Sequence, residues 1–275
     1  MRVLVTGAAG YMGKHVVRNL LSKGHEVLAV DLNHKEINDN AQIVDVDIFS
    51  GEKDIYNMTQ RPDLCIHLAW QDGFVHNSSK HMENLSGHFE FLKNMIDGGC
   101  KNISVMGTMH EIGFYEGKVD ENTPCNPLSQ YGIAKNALRQ AILLLTQNTD
   151  VNLYWLRAYY ILGDDIRNSS IFTKLLRAAE DGKKTFPFTT GTNQYDFIDI
   201  KELAAQIVAA STQEEVTGVI NVCTGEPVAL KDRVEAFIKE KNLDIALEYG
   251  VFPERPYDSK IIYGDNSKIK KIMGK

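Results

Sequence analysis

The chain has 275 residues, 43% hydrophobic and 24% charged, enough to bury a full core as one large domain or two closely joined ones. Its 36 acidic residues outnumber its 30 basic ones, and the formal charge of −6 argues against nucleic acid, which wants a basic face. Four scattered cysteines (Cys65, Cys100, Cys125, Cys223), no apolar run of membrane length and a strand-like run from residue 3 predict a cytoplasmic protein without signal peptide or membrane.

In chain order, a short apolar run at 3–5 leads into the loop 7–13, with Gly7, Gly10 and Gly13, and then into an amphipathic helix that stops at Gly24. A second apolar run at 27–30 ends in Asp31, an acid about twenty residues beyond the glycines. This is the β–loop–α–β context of a dinucleotide site. Gly7 permits the tight turn, Gly10 the approach of backbone to a pyrophosphate, and Gly13 the close packing of helix on sheet, while the helix N-terminus offers N–H groups to phosphate. Strand-like runs at 42–46, 64–69, 103–106 and 151–156 continue the pattern, with long amphipathic segments at 82–97 and 131–147 between them.

Such alternation predicts an α/β fold, a Rossmann-type doubly wound parallel sheet with ligands beyond the carboxyl ends of its strands. After Gly163 the elements become shorter and mixed: helical at 171–180, 201–210 and 230–239, extended at 185–188 and 219–222. The expected division is a dinucleotide-binding domain over 1–163 and a small, mainly substrate-binding lobe over 164–275, interleaved with late sheet elements. The tail 259–275 is expected to close the lobe, with Lys268 to Lys275 as a solvated helix end, and the loop 115–129, carrying Pro124 and Pro127, to form a lid-like entry.

Tyr131 and Lys135 stand four apart, hence on one helix face. A lysine cation there is expected to pull the phenol below its usual value near 10, making a proton donor or acceptor for neutral pH. The competing reading is a tyrosine filling space on a helix whose Ala134, Leu138 and Ile142 recur at core spacing. His76, His81 and His88 lack a metalloprotease pattern and read as solvated loop and helix-surface residues, with no metal expected. No GxSxG elbow supports a hydrolase.

The loop Thr6-Gly7-Ala8-Ala9-Gly10-Tyr11-Met12-Gly13 is similar to the TGxxGxxG loop of the extended short-chain dehydrogenases/reductases of the NAD-dependent epimerase/dehydratase type. Asp45-Val46-Asp47-Ile48 resembles that family's adenine-binding segment and His67-Leu68-Ala69 its fourth-strand motif. Thr108 sits where its catalytic serine or threonine lies, Tyr195-Asp196-Phe197-Ile198 resembles its RDFI segment, and Arg255-Pro256-Tyr257-Asp258 its RPGD segment. These matches run in order along nearly the whole chain. The resemblance implies catalytic Thr108, Tyr131 and Lys135, with the cofactor contacted by Gly7, Gly10, Tyr11, Met12, Gly13, Asp31, Asp47, Ile48, Leu68, Ala69, Tyr131 and Lys135.

Asp31 favours NAD, since a carboxylate accepts from a ribose 2′-hydroxyl and repels a 2′-phosphate; His34 and Lys35 nearby leave NADP open. The family's dehydratases place an acid pair directly after the threonine, where this chain has Met109 and His110. That departure argues against dehydration and leaves His110 as either a second proton donor or a supporting histidine, and Glu111 as a structural acceptor. The segments 107–113 and 121–129 resemble the 4-ketoreductases of nucleotide-activated 6-deoxysugars. Hydride transfer at C4 of a dTDP-4-keto-6-deoxyhexose is therefore expected, with a nucleotide-sugar 4-epimerase as the alternative and a non-catalytic dinucleotide sensor outside the class. The implied substrate contacts are Trp70, Met109, His110, Tyr160, Tyr195 and Arg255: Trp70 is expected to narrow the sugar pocket, Tyr160 replaces an asparagine of the hexose epimerases, and Tyr195 replaces an arginine that commonly holds diphosphate, shifting that charge toward Arg255. Resemblance also implies a homodimer packing the Met82 and Tyr131 helices.

Overall fold

A computed structural model describes residues 1–163, 170–254 and 258–274. Their elements begin with β1 (Arg2–Thr6), α1 (Tyr11–Ser22), β2 (Glu26–Val30), β3 (Gln42–Ile43), α2 (Ile55–Met58), β4 (Leu64–His67), α3 (Lys80–Glu83), α4 (Leu85–Gly98) and β5 (Asn102–Thr108). There follow β6 (Gly117–Val119), α5 (Gln130–Thr146), β7 (Asn152–Ala158), β8 (Tyr160–Leu162), α6 (Ile171–Glu180), β9 (Thr185–Pro187), β10 (Gln194–Asp199) and α7 (Ile200–Ser211). The last are β11 (Gly218–Val222), β12 (Pro227–Ala229), α8 (Leu230–Glu240), β13 (Ala246–Glu248), β14 (Ile261–Gly264) and α9 (Ser267–Met273).

Seven strands pair in the order β11-β7-β5-β4-β1-β2-β3, all in parallel. The expected doubly wound sheet is what forms. The chain winds outward from β1 in one direction and from β4 in the other, so a crevice opens between the carboxyl ends of these two strands. Side chains in β1 alternate between faces. Val3 and Val5 join a cluster under α1 and α7 with Val16, Leu20, Leu203 and Ile207, while Leu4 joins Leu92, Met95, Leu138 and Ile142 under α4 and α5.

A second sheet runs β12-β10-β14-β6, with β8 paired to β10, and covers an aromatic-rich core that includes Phe172, Phe197 and Phe237. Both halves of the chain supply it, since β6 comes from the loop before α5. The tail departs from expectation. Its strand β14 enters the small sheet, but α9 packs on α7 and β11, burying Ile269 in the core of the seven-stranded sheet. Lys268 is also drawn in, pairing with Glu121 and donating to the carbonyl of Val219 at 3.1 Å. The helix predicted at 82–97 is broken at Asn84 into α3 and α4, and Gly99 in the left-handed region ends the second.

Asp196 joins the two sheets. Its fully buried carboxylate accepts from the Thr224 N–H (3.0 Å) and hydroxyl (2.6 Å), the Gly225 N–H (2.8 Å) and the Gly264 N–H (3.1 Å). The turn after β11 and the strand β14 thus hang on one side chain of β10. Charge-assisted bonds of this kind contribute more than neutral ones, so Asp196→Ala should lower unfolding free energy by about 3 kcal/mol or more in urea titrations.

Candidate active site

β1 delivers Thr6 to the crevice, and Gly7 turns the chain at φ +71. A Cβ on Gly7 would lie 2.7 Å from the Ala69 nitrogen, and one on Gly13 would lie 2.0 Å from the Gly7 carbonyl oxygen. Only glycines allow the loop to sit this close to β4 and to its own helix. Gly10 caps α1 in extended conformation without a side-chain acceptor, so the helix N-terminus, with the N–H groups of Met12 and Gly13, offers donors to an anion. A pyrophosphate fits this cradle. Asp31 reaches back across it: one carboxylate oxygen accepts from Ala9 N at 3.0 Å, the other from Asn33 N at 3.0 Å. Leu68 and Ala69 follow β4 on the far wall, where Leu68 N donates to the Thr6 carbonyl and Ala69 N to the Thr6 hydroxyl. Asp47 is exposed with its carboxylate on Phe49 N, and Ile48 leans on the α4-side core.

Thr108 ends β5, and the following turn, Met109–Glu111, begins with its hydroxyl accepting from His110 N at 3.3 Å. Helix α5 begins at Ser129, whose hydroxyl accepts from Gly132 N at 3.1 Å. A Cβ on Gly132 would stand 2.3 Å from the His110 carbonyl oxygen, so this glycine lets the helix lie directly against the turn. The structure brings Thr108, Tyr131 and Lys135 together: the Thr108 side chain bears on the phenol, and Lys135, 2% exposed, donates from Nζ to the Met106 carbonyl at 2.7 Å.

The electrostatics overturn one expectation. Burial pushes the Tyr131 phenol up rather than down, against the lowering effect of the Thr108 side chain and with the Glu111 carboxylate adding to the rise. Lys135 is pushed down to about 7, again by burial, with Glu111 opposing. Desolvation of both groups outweighs the attraction that spacing alone suggested.

Glu111 is wholly buried and is the structural acceptor its position implied. Its carboxylate accepts from Thr108 N (2.7 Å) and the Trp155 indole (3.0 Å), and faces the guanidinium groups of Arg139 and Arg157, each at 3.6 Å. Gly107 makes the room, since a Cβ there would be 2.3 Å from the indole nitrogen.

The histidines are not solvated as the sequence suggested. His81 and His88 are each 1% exposed. His88 bonds His67 (2.9 Å), whose other nitrogen meets the Thr6 hydroxyl (2.8 Å). His81 accepts from the Trp70 indole (3.0 Å) and donates from Nε2 to Val75 O (3.0 Å). The signal was present, for His88 shares helical spacing with the buried Phe91, Leu92 and Met95. His76, His81, His110 and Trp70 form a ring of aromatics around Tyr131, with centroids 5.7, 5.2, 5.9 and 6.2 Å away. Burial holds His110 down at about 3, with His76 adding to the effect, so it stands neutral at pH 7. Among the described residues no group of three or more His, Cys, Asp or Glu side chains is placed to hold a metal ion.

Of the residues proposed to meet sugar, Met109 is buried in the core of the small sheet. Tyr160 and Tyr195 pack against each other at 4.4 Å, and Tyr195 is buried with its hydroxyl accepting from Asn193 at 3.2 Å. Tyr195 is therefore part of the lobe's aromatic core. Trp70 is half-buried and pinned against His81 and His88, beside Tyr131. Arg255 lies outside the described residues.

Burial lowers His67, His88 and His110, the latter two to about 3, below the ordinary 6.5. Unfolded histidines take up protons near 6.5 and these do not, so stability should fall as pH drops from 6.5 toward 3. Urea unfolding of wild type and His88→Leu between pH 7 and 4 checks this: the variant's slope should be shallower by about 1.4 kcal/mol per pH unit, one proton's worth.

A sequence profile of the NAD dependent epimerase/dehydratase family matches residues 3–223. The chain is 46% identical over 271 residues, 96% of its own length and 99% of the relative's, to a protein of Aggregatibacter actinomycetemcomitans named dTDP-6-deoxy-L-talose 4-dehydrogenase (NAD(+)). It is 24% identical to a UDP-glucose 4-epimerase of Lactobacillus helveticus, covering all of this chain and 91% of the other. Its fold matches that of the UDP-glucose 4-epimerase of Thermus thermophilus, solved with NAD, at a TM-score of 0.83 and 22% identity, covering 98% of this chain and 92% of that one. The chain belongs to the NAD dependent epimerase/dehydratase family, the extended short-chain dehydrogenases/reductases that its glycine loop, Thr108, Tyr131 and Lys135 resemble.

Proposed function

We propose that this protein is a nucleotide-sugar oxidoreductase that interconverts hydroxyl and ketone at C4 of a dTDP-linked 6-deoxyhexose, using NAD, with NADP as a secondary cofactor. The observation that carries this reading is the meeting of Thr108, Tyr131 and Lys135 beside the glycine cradle. The substrate class rests on the 46% identity, over nearly the full length of both chains, to a dTDP-6-deoxy-L-talose 4-dehydrogenase. Residues up to 163 would mainly hold the dinucleotide, and the small-sheet side the sugar nucleotide.

The pyrophosphate would lie on the first turn of α1, and Asp31 would meet the adenosine ribose with its remaining lone pairs. A nicotinamide cofactor, when bound, supplies hydride exchange with the sugar carbon. Tyr131 moves the proton on the attached oxygen. Burial keeps its phenol protonated at neutral pH, which is the form that donates during ketone reduction. Thr108 orients that oxygen, and the Lys135 ammonium stabilises negative charge on Tyr131 once the proton has left. Elimination of water lacks a free carboxylate beside Thr108, because Glu111 is already engaged by Trp155 and two arginines.

Two further features belong to the reading. Met82, Ile133 and Leu144, 44%, 42% and 71% exposed, offer apolar contacts for a homodimer packed through the helices around Met82 and Tyr131. The four cysteines are unpaired, which suits a reducing cytosol.

Incubation with dTDP-4-keto-6-deoxyhexoses and NADH should consume the cofactor's absorbance in step with substrate; interconversion of 4-epimers without net cofactor oxidation would make it an epimerase instead. Tyr131→Phe should keep NAD affinity within about threefold while turnover falls by a factor of about 10³ or more, the proton donor being lost and the shape retained. Asp31→Asn keeps an acceptor for Ala9 N while removing charge, so kcat/KM should shift toward NADP by about tenfold or more. An unchanged ratio of the two cofactors would remove Asp31 from the ribose.

A further inference from the structure

Trp70 follows the end of β4, and its indole face lies 3.7 Å, centroid to Nζ, from the Lys135 ammonium. The indole is held from several elements. Its nitrogen donates to His81 of α3, itself fixed to Val75, and its ring stacks at 4.3 Å and 11° on His88 of α4, itself fixed to His67. Among the described residues the hydrogen-bond partner of Lys135 is the Met106 carbonyl of β5. The other groups bearing on it are His67 and His88, kept neutral by burial, and the Glu111 carboxylate beyond the end of β5; Tyr131 is on its own helix.

We propose that Trp70 is a positioning residue for proton transfer: its indole face holds the Lys135 ammonium charged and aimed alongside Tyr131. The role rests on the reading of Tyr131 and Lys135 as the proton-handling pair. An aromatic face suits it for a specific reason. A carboxylate at this distance would hold the cation equally well but would cancel the positive potential that phenolate formation needs. A ring quadrupole attracts the cation without adding net charge, and tryptophan does so best among the aromatic residues. The contact matters because Lys135 is poised between its two protonation states, pushed down to about 7 by burial. An aliphatic residue in place of Trp70 would leave Nζ with the Met106 carbonyl and Glu111's more distant field.

The chain has two tryptophans, Trp70 and Trp155, so the emission of wild type minus Trp70→Phe isolates Trp70. That difference should titrate with a midpoint near 7 and become flat when taken in a Lys135→Met background. A flat wild-type difference would overturn the proposal, as would a transition that survives Lys135→Met. In turnover, Trp70→Phe should move the alkaline limb of the kcat profile toward acid by up to about one pH unit, so that kcat at pH 8 falls by up to about tenfold more than kcat at pH 6. A uniform drop with an unmoved limb would mark packing alone and sink the idea. The emission titration needs no sugar substrate, so it stands or falls separately from the proposed reaction.

Discussion

The approach of α5 to the carboxyl end of β5 is the constraint on which the site depends. Gly132 lies against the carbonyl of His110, where any side chain would force the helix away. Because the helix comes this close, Tyr131 meets Thr108, and Lys135 passes beneath to the backbone of Met106. The Ser129 cap and the bond from Tyr131 N to the His76 carbonyl set where that helix begins. Close approach also removes water, which is why burial dominates the protonation of the pair.

The same dryness accounts for the polar residues packed behind the site. Glu111 is surrounded by donors from Thr108, Trp155, Arg139 and Arg157, so a buried carboxylate is tolerated where an unpaired one would be strongly unfavourable. His67 and His88 answer the problem differently, staying neutral and satisfying one another. Asp196 applies the first solution at the junction of the two sheets. Buried polar groups thus tie together the turn after β5, the end of β4 and the joint between the sheets, the places where backbone must be held in register around the crevice.

Local spacing made much of this readable. The glycines of the loop 7–13 report backbone geometry that side chains forbid, and Asp31 follows at the end of the second strand, whereas Thr108 was placed by resemblance to the family. The continuous apolar run of β1 is explained by a strand buried on both faces. His81 and His88 were misjudged because a polar or amphipathic side chain shows no preference until its neighbours are known. Each is satisfied by a partner from another element. Tyr195 was misjudged similarly, since nothing in a tyrosine's neighbours along the chain tells a ligand contact from an aromatic core.

By itself the sequence determined the doubly wound sheet and its glycine loop, because turns and periodicity are local properties of the chain, while Thr108, Tyr131 and Lys135 were singled out by resemblance to the family. The tertiary structure alone decided that Tyr131 is pushed up and Lys135 down, that α9 returns to the first sheet, and that Trp70 lies under the lysine. Protonation and cation–π contact depend on which atoms exclude water and which faces meet, and those are fixed only when distant segments pack together.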